Sequence, residues 1–422
     1  MSPDAAARLD LSWNQLSVLR HETERDQRSP NSATVFRLDG QRYQELTRRL
    51  SQLVSQQDSL RVVGLSGRDG GSVTYADHLA PPVRSVTAGS VEEARSVAAQ
   101  MVARSFSRDG GPLWELCIIE HPDPDGRPYR TACAVFDRLI TDGRSLFVFQ
   151  QALLADGGSR ATQSGRFRDW VTWQRRRFPV DQTAAATPER EFWLSYLDGT
   201  PPERPIQLPF WSDGPLSGVA EIIHQELPAD AATLAAAARR LRVTPFSIFL
   251  GAVASAISAG SGADDITLLV HVTGRRPGYL DTLGPFGETL PLRLCHPALA
   301  DERAALAAAR DAWISTLPFQ ATPWDYIRAV CANPDAPAGS YGPPQVMVNF
   351  VPWAPAPLDW QFYETQTQVR MSMSTLHLSA AVRADSSYHL SCLFDPSRYT
   401  ATGVRELLDL INRNWRQYLT CD

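Results

Sequence analysis

The chain has 422 residues, 43% hydrophobic and 21% charged, with a formal charge of −5 at neutral pH. That length exceeds one ordinary core and accommodates two lobes, and the slight acidity gives no electrostatic reason to expect nucleic acid or an anionic membrane as a partner. All 41 basic residues are arginine, which excludes Schiff-base, pyridoxal-lysine and P-loop-lysine chemistry.

Helix and strand patterns alternate from the start. "QRYQELTRRLSQLV" repeats apolar positions at Leu46, Leu50, Leu53 and Val54, a helical stripe. "SVEEARSVAAQMVARSF" places Ser90 and Glu93 in capping-box spacing and then runs Val91, Ala94, Val97, Ala98, Met101 and Val102 along one face. "YRTACAVF" reads as a strand, and Ser145 is expected to cap the following helix, "LFVFQQALL".

The period is lost near "RRRFPVDQTAAATPER". After it, "LPADAATLAAAARRLRVTP" predicts a helix, and Thr244 with Pro245 starts another as cap and first turn. That second helix, "FSIFLGAVASAISAG", is rich in small residues and is expected to lie buried against a sheet. "DITLLVHV" reads as a buried strand, and Val404, Leu407, Leu408, Ile411 and Trp415 mark one face of a last helix. The expected organisation is α/β, with an N-terminal lobe over 1–178, a linker over 179–190 and a C-terminal lobe over 191–422.

Cys117, Cys133, Cys295, Cys331, Cys392 and Cys421 are scattered without a CxxC pair, as expected for small core residues in a reducing compartment. No basic, apolar leader opens the chain, and no run approaches the roughly 18 apolar residues of a membrane span, so the expected location is cytoplasmic. No metal or dinucleotide signal is present.

The order of several short segments resembles that of the condensation domains of nonribosomal peptide synthetases, within the chloramphenicol-acetyltransferase-like superfamily. "LDLSWNQLSVL" is similar to the family's opening, with Leu11, Ser12 and Gln15 in place. "QQDSLRV" resembles its RHExLRT segment, with Gln56, Gln57 and Asp58 at the first three positions. "EFWLSYLDGTPPERPIQLP", "VTPFSIFLGAVASAISAGSGADDITLLVHVTGRR", "LGPFGETLPLRL", "VMVNF" and "LFDPSRY" follow in family order. The resemblance implies two related lobes in a V-shaped pseudo-dimer with a central tunnel. Carrier proteins would act in trans and present substrates on phosphopantetheine arms, with no bound cofactor and with adenylation or tailoring enzymes as further partners.

The family's HHxxxDG motif falls on "DRLITDG", Asp137 to Gly143, without either histidine. In the family the second histidine serves the amine that attacks a thioester. Arg138 stands there and cannot be a general base, because arginine does not give up its proton. It can still donate hydrogen bonds to a developing oxyanion, form a structural ion pair with Asp137, or pair with a carrier phosphate. Asp137 is either a working group that orients or deprotonates the amine or a polar tunnel-lining residue. Asp142 is expected as a buried, paired carboxylate, with Arg275 of "TGRRPG" as its partner or else a solvated surface residue, and Gly143 as a turn former. Asp137, Asp142 and Ser145 also fit the DxxxxDxxS pattern of heterocyclization domains. Those domains carry PVVFTS where this chain has "QVMVNF", with Asn349 near the threonine position, and "STLHLSAAV" has no match to their QTPQxxLD segment. Asn349 and His377 are candidate tunnel-lining residues; His271 and His377 lie in segments that could face the tunnel, but each reads first as a satisfied core histidine.

Three functions follow from the resemblance. The first is a free-standing condensation-like protein joining carrier-bound aminoacyl or peptidyl thioesters by amide formation. The second is an inactive platform recruiting tailoring enzymes or carrier proteins, and the third is a heterocyclase. Arg175, Arg176 and Arg177 read as a solvated face or a docking face for acidic carriers.

Overall fold

The computed structural model describes residues 7–24, 28–66, 71–123, 125–155, 165–179, 186–202, 206–212, 217, 219–331, 346–352, 374–383 and 385–420. It divides into two compact units. The first holds the described residues up to 179 together with 273–287, and the second holds the described residues among 186–272, 288–352 and 374–420. Consecutive lobes do not anticipate residues 273–287 in the first unit. The physical reason is the connection between two antiparallel neighbours of the second unit's sheet, which is not a tight hairpin but a long excursion.

In the first unit the order is β1 (Ala7–Asp10), α1 (Trp13–Glu24), β2 (Ser32–Arg37), α2 (Gly40–Gln56), β3 (Val62–Ser66), β4 (Ser72–Tyr75), β5 (Val83–Thr87), α3 (Val91–Ala103), β6 (Trp114–Pro122), β7 (Pro128–Phe136), α4 (Gly143–Leu154) and α5 (Phe167–Arg177). The larger sheet runs β2-β7-β6-β5, antiparallel except for the parallel β5–β6 pair that α3 connects. A smaller antiparallel sheet runs β1-β4-β3. The strands β6 and β7 are near-continuous apolar runs because both of their faces are covered. Trp114, Phe136 and Phe149 meet at the centre with ring centroids 5.0–6.0 Å apart. Leu46, Leu50, Leu53 and Val54 are buried on α2 as their spacing requires.

In the second unit the order is α6 (Pro188–Leu197), β8 (Glu221–Asp230), α7 (Ala231–Leu241), α8 (Pro245–Ser261), β9 (Asp265–Val272), β10 (Glu288–Cys295), α9 (Glu302–Thr316), α10 (Trp324–Cys331), β11 (Val346–Val351), β12 (Leu376–Val382), β13 (Ser387–Phe394) and α11 (Ala401–Thr420). Its sheet runs β10-β9-β11-β12-β13-β8, with β11 parallel to both neighbours. Thr244 caps α8 by accepting from Ser247 N at 3.0 Å. Every residue of α8 from Ser247 to Ser258 is buried. The small residues serve helix–helix contact with α9 and α11 as much as contact with β11, a correction to the simpler expectation of a sheet alone. A Cβ on Gly251 would sit 3.1 Å from Leu306 Cα on α9.

Two further differences concern single residues. The residue capping α4 is Asp142, not Ser145, because the helix begins three residues earlier than its apolar run. Cys117, Cys133 and Cys392 are buried, but Cys295 is exposed at the end of β10 and Cys331 is half-buried, so not all the cysteines are core residues. Burial pushes the Cys133 thiol up to about 12. Val180 to Ala185 of the expected linker and Cys421 lie outside the described residues; α6 already starts at Pro188. Among the described residues no single helix is long and apolar enough to cross a membrane.

Candidate functional site

The "DRLITDG" loop joins β7 to α4. Asp137 N bonds to Leu113 O at 2.8 Å, and Ile140 N closes a turn onto Asp137 O at 3.1 Å. Leu139 and Ile140 drop into the apolar core, so the loop cannot lift without exposing them. From the opening segment, Gln15 Nε2 donates to Leu139 O at 2.8 Å. Gln15 is itself fixed by reciprocal bonds with Ser12, Ser12 N to Gln15 Oε1 at 2.9 Å and Gln15 N to Ser12 Oγ at 3.1 Å. The "LSWNQ" stretch is therefore a clamp on the loop.

Asp142 is the anchor of the loop's far end. Its carboxylate accepts from Ser145 N at 2.8 Å, Phe286 N at 3.0 Å and Gly287 N at 2.9 Å. Arg275 forks onto it, Nη1 to Oδ2 at 2.8 Å and Nη2 to Oδ1 at 3.0 Å. Burial raises the carboxyl pKa, but the Arg275 charge and these donors outweigh it and hold Asp142 below the usual carboxylate range. Ser145 Oγ lies 2.8 Å from Asp142 Oδ1 and 2.8 Å from Gly284 O, and accepts from Arg275 Nη2 and Gly284 N. One proton serves those two acceptors, and its lone pairs are taken, so the hydroxyl is saturated by structure.

Arg275 and its neighbours come from the 273–287 excursion, which is held in the first unit by an aromatic cluster. Phe286 meets Phe167 at 5.0 Å and Trp170 at 5.2 Å, and Arg275 lies 4.4 Å over the Phe286 ring. Gln57 brackets the segment, accepting from Leu283 N at 2.8 Å and donating to Asp281 O at 3.2 Å, while Ser59 Oγ donates to Leu283 O at 2.8 Å. Asp58 is buried and caps α5 from a distance, accepting from Phe167 N at 3.1 Å and Arg168 N at 3.2 Å. Gly284 has no room for a side chain, since a Cβ would collide with the Phe167 ring. Gly143 differs: its φ is ordinary and a Cβ would meet open space, so no turn geometry demands glycine there.

Asp137 is buried, and both of its oxygens take the fork of Arg108, Nε to Oδ2 at 2.9 Å and Nη2 to Oδ1 at 2.8 Å. Oδ1 also accepts from Leu139 N at 2.9 Å. Arg108 is shared with Glu22, which accepts from it at 2.7 and 3.1 Å. Although burial opposes it, the Arg108 bond lowers the Glu22 pKa, and two carboxylates raise that of Arg108. The ion pair between Asp137 and Arg138 considered from sequence is not formed, because Arg108 satisfies the carboxylate from the other side. Arg138 has no hydrogen-bond or ion-pair partner among the described residues, and it is exposed while Asp137, Leu139, Ile140 and Thr141 are all buried.

Asn349 and His377 belong to the second unit. They lie on adjacent strands, β11 and β12, on the same sheet face as His271. Asn349 Nδ2 approaches Ser379 Oγ at 3.5 Å, and the His271 and His377 rings are 5.5 Å apart. Sequence reasoning missed Arg108 and Glu22 outright. No motif marks either, and 29 residues separate Arg108 from Asp137. Gln57 and Asp58 carried a signal in their RHExLRT-like placement, although their partners did not.

The sequence matches the family described as "Condensation domain" over residues 11–400. Among curated proteins it is 27% identical over 283 residues to nonribosomal peptide synthetase 5 of Aspergillus fumigatus, covering 61% of this chain and 13% of that one. It is 26% identical over 202 residues to the hybrid PKS-NRPS synthetase LUC5 of a Fusarium species, covering 44% of this chain and 5% of that one. The chain thus spans only a small part of the curated relatives it matches. Among solved structures, the condensation domain of the monacolin K polyketide synthase MokA superposes with a TM-score of 0.75 at 15% identity, covering 98% of both chains. The first condensation domain of the CDA synthetase gives 0.72 at 17%, over 98% of this chain and 97% of that one. The X-domain from teicoplanin biosynthesis gives 0.72 at 17%, over 100% and 96%. At those identities the superpositions speak for the fold alone, the mixed α/β two-lobe chloramphenicol-acetyltransferase-like fold, and with the match over residues 11–400 the chain belongs to the condensation-domain family.

Proposed function

We propose that the protein joins carrier-bound aminoacyl or peptidyl thioesters by amide formation in nonribosomal peptide biosynthesis, and does so without a protein base. The observation that carries this reading is the state of the loop: each side chain from Asp137 to Thr141 is buried except Arg138, an unpaired guanidinium at the place of the family's second histidine. An α-amino group has a pKa of about 7.7–8.0, so near that pH about half of it is already the free base. Attack forms the C–N bond, the C–S bond breaks, and the amine's surplus proton leaves with the sulfur as thiol. The remaining need is to hold two reactants in line and to stabilise negative charge on the carbonyl oxygen. Positioning can supply about 7–11 kcal/mol, and one oxyanion donor about 2.7–4 kcal/mol. Arg138 is assigned the oxyanion, and Asp137, fixed by Arg108, the orientation of the loop. Asp142, Ser145 and Arg275 are assigned to holding the loop in shape, and Asn349 and His377 to lining the substrate path.

Donor and acceptor carriers loaded with candidate groups, followed by intact-protein mass spectrometry, test the proposal. Acceleration over the carriers alone that is lost in Arg138→Ala supports it. A second reading, a non-catalytic platform, is favoured by the absence of both histidines and by the engagement of both Asp137 oxygens. Carrier binding without acceleration would select it. Product lighter by one further water would instead identify ring formation.

A further inference from the structure

The arginine run at the end of α5 has no part in the loop just described. The face of α5 at Arg168, Val171, Thr172, Arg175 and Arg176 lines a recess of about 630 Å³ whose other wall includes Leu9 and Asp10 of β1. The i, i+3, i+4, i+7, i+8 spacing puts all five residues on one side of the helix. We propose that this recess binds a small phosphate monoester through Arg168, Arg175 and Arg176.

Charge is the first support. Arg175 and Arg176 have no ion-pair or hydrogen-bond partner among the described residues, and Asp10 forms no ion pair with them. Only Arg168 is engaged, through Asp58 at 3.1 Å. The second support is independent: Arg175 Nη1 is buried without an acceptor. A buried cationic donor left unmet is costly, so an anion or water is required beside it. Guanidinium forks match the geometry of phosphate oxygens, and Leu9, Val171 and Pro179 give an apolar shoulder suited to the carbon part of a monoester. The volume falls within the range of small-molecule sites. A competing explanation is that the arginines only offset the negative end of the α5 dipole. That role predicts a loss of stability without any loss of binding.

Calorimetric titration of the full chain with inorganic phosphate and with phenyl phosphate, at constant ionic strength, separates the two. Saturable binding is expected, tighter for phenyl phosphate, and weakened about tenfold or more in both Arg175→Gln and Arg176→Gln with melting temperatures little changed. Should Arg175→Gln fail to fold, Arg176→Gln, at an exposed position, decides alone. No saturable heat, or affinity indifferent to the substitutions, overturns the proposal. So does binding of a hexaglutamate peptide without binding of phosphate, which would assign the face to an acidic protein.

Discussion

Replacing Arg275 with methionine leaves Asp142 in place but removes the cation that its burial depends on. The Arg275 side chain is fully buried, so water cannot substitute for it. Unit charges about 4 Å apart attract by about 4 kcal/mol at an effective dielectric of about 20, and breaking one side of a buried pair typically costs about 3–5 kcal/mol. Ser145 N, Phe286 N and Gly287 N still serve the carboxylate, which places the expected loss near the lower end, about 3 kcal/mol. The double variant Arg275→Met/Asp142→Asn removes the stranded charge and should cost less than the two single changes added together. Urea unfolding followed by tryptophan fluorescence measures all four proteins. The Asp142 pKa is depressed in the folded state, so its contribution is complete above about pH 4, the unfolded value, and is lost as pH falls through the folded one. The gap between wild type and Arg275→Met should therefore narrow on acidification below about pH 4. A single-variant cost under about 1 kcal/mol, simple additivity, or a gap that does not depend on pH would refute the reasoning.

The two glycines of the site should respond in opposite ways. Gly284→Ala drives a methyl into Phe167 and should cost about 2 kcal/mol or more by chemical denaturation, whereas Gly143→Ala meets nothing, has helical backbone geometry and should be neutral or stabilising by up to about 1 kcal/mol. Asp58→Ala removes the acceptor of two amides at the start of α5 and should lower stability by about 1–2 kcal/mol in the same assay. Under the proposed function, Arg138→Ala should slow condensation by about 100-fold or more in single-turnover assays with its unfolding midpoint unchanged, and Arg138→Lys should recover only part of that loss. The rate should rise once, with the acceptor amine near pH 8; an inflection near 6.5, the mark of a histidine base, would count against the mechanism.

How much of this was legible beforehand depends on whether the physics is local. Spacing alone marked α2, α3 and α11, since an amphipathic stripe is visible in the chain whatever it packs against. Thr244 and Pro245 marked the start of α8, because capping involves only the next three residues. The α4 cap shows the limit: Asp142 and Ser145 are both competent, and the choice fell to Asp142 because its carboxylate is also held by Arg275, Phe286 and Gly287, far away in sequence.

The sequence by itself determined that there is no histidine or lysine in the "DRLITDG" loop to act as a base, and that Arg138 must stay cationic there, because side-chain chemistry does not wait for folding. Only tertiary structure decided which carboxylate meets which guanidinium. Asp137 turned to Arg108 rather than to its neighbour Arg138, and Asp142 to Arg275, because adjacent side chains on an extended turn diverge while packing brings distant ones together. Pairing of that kind is set by where two chain segments are buried, a property of the whole fold that spacing does not encode.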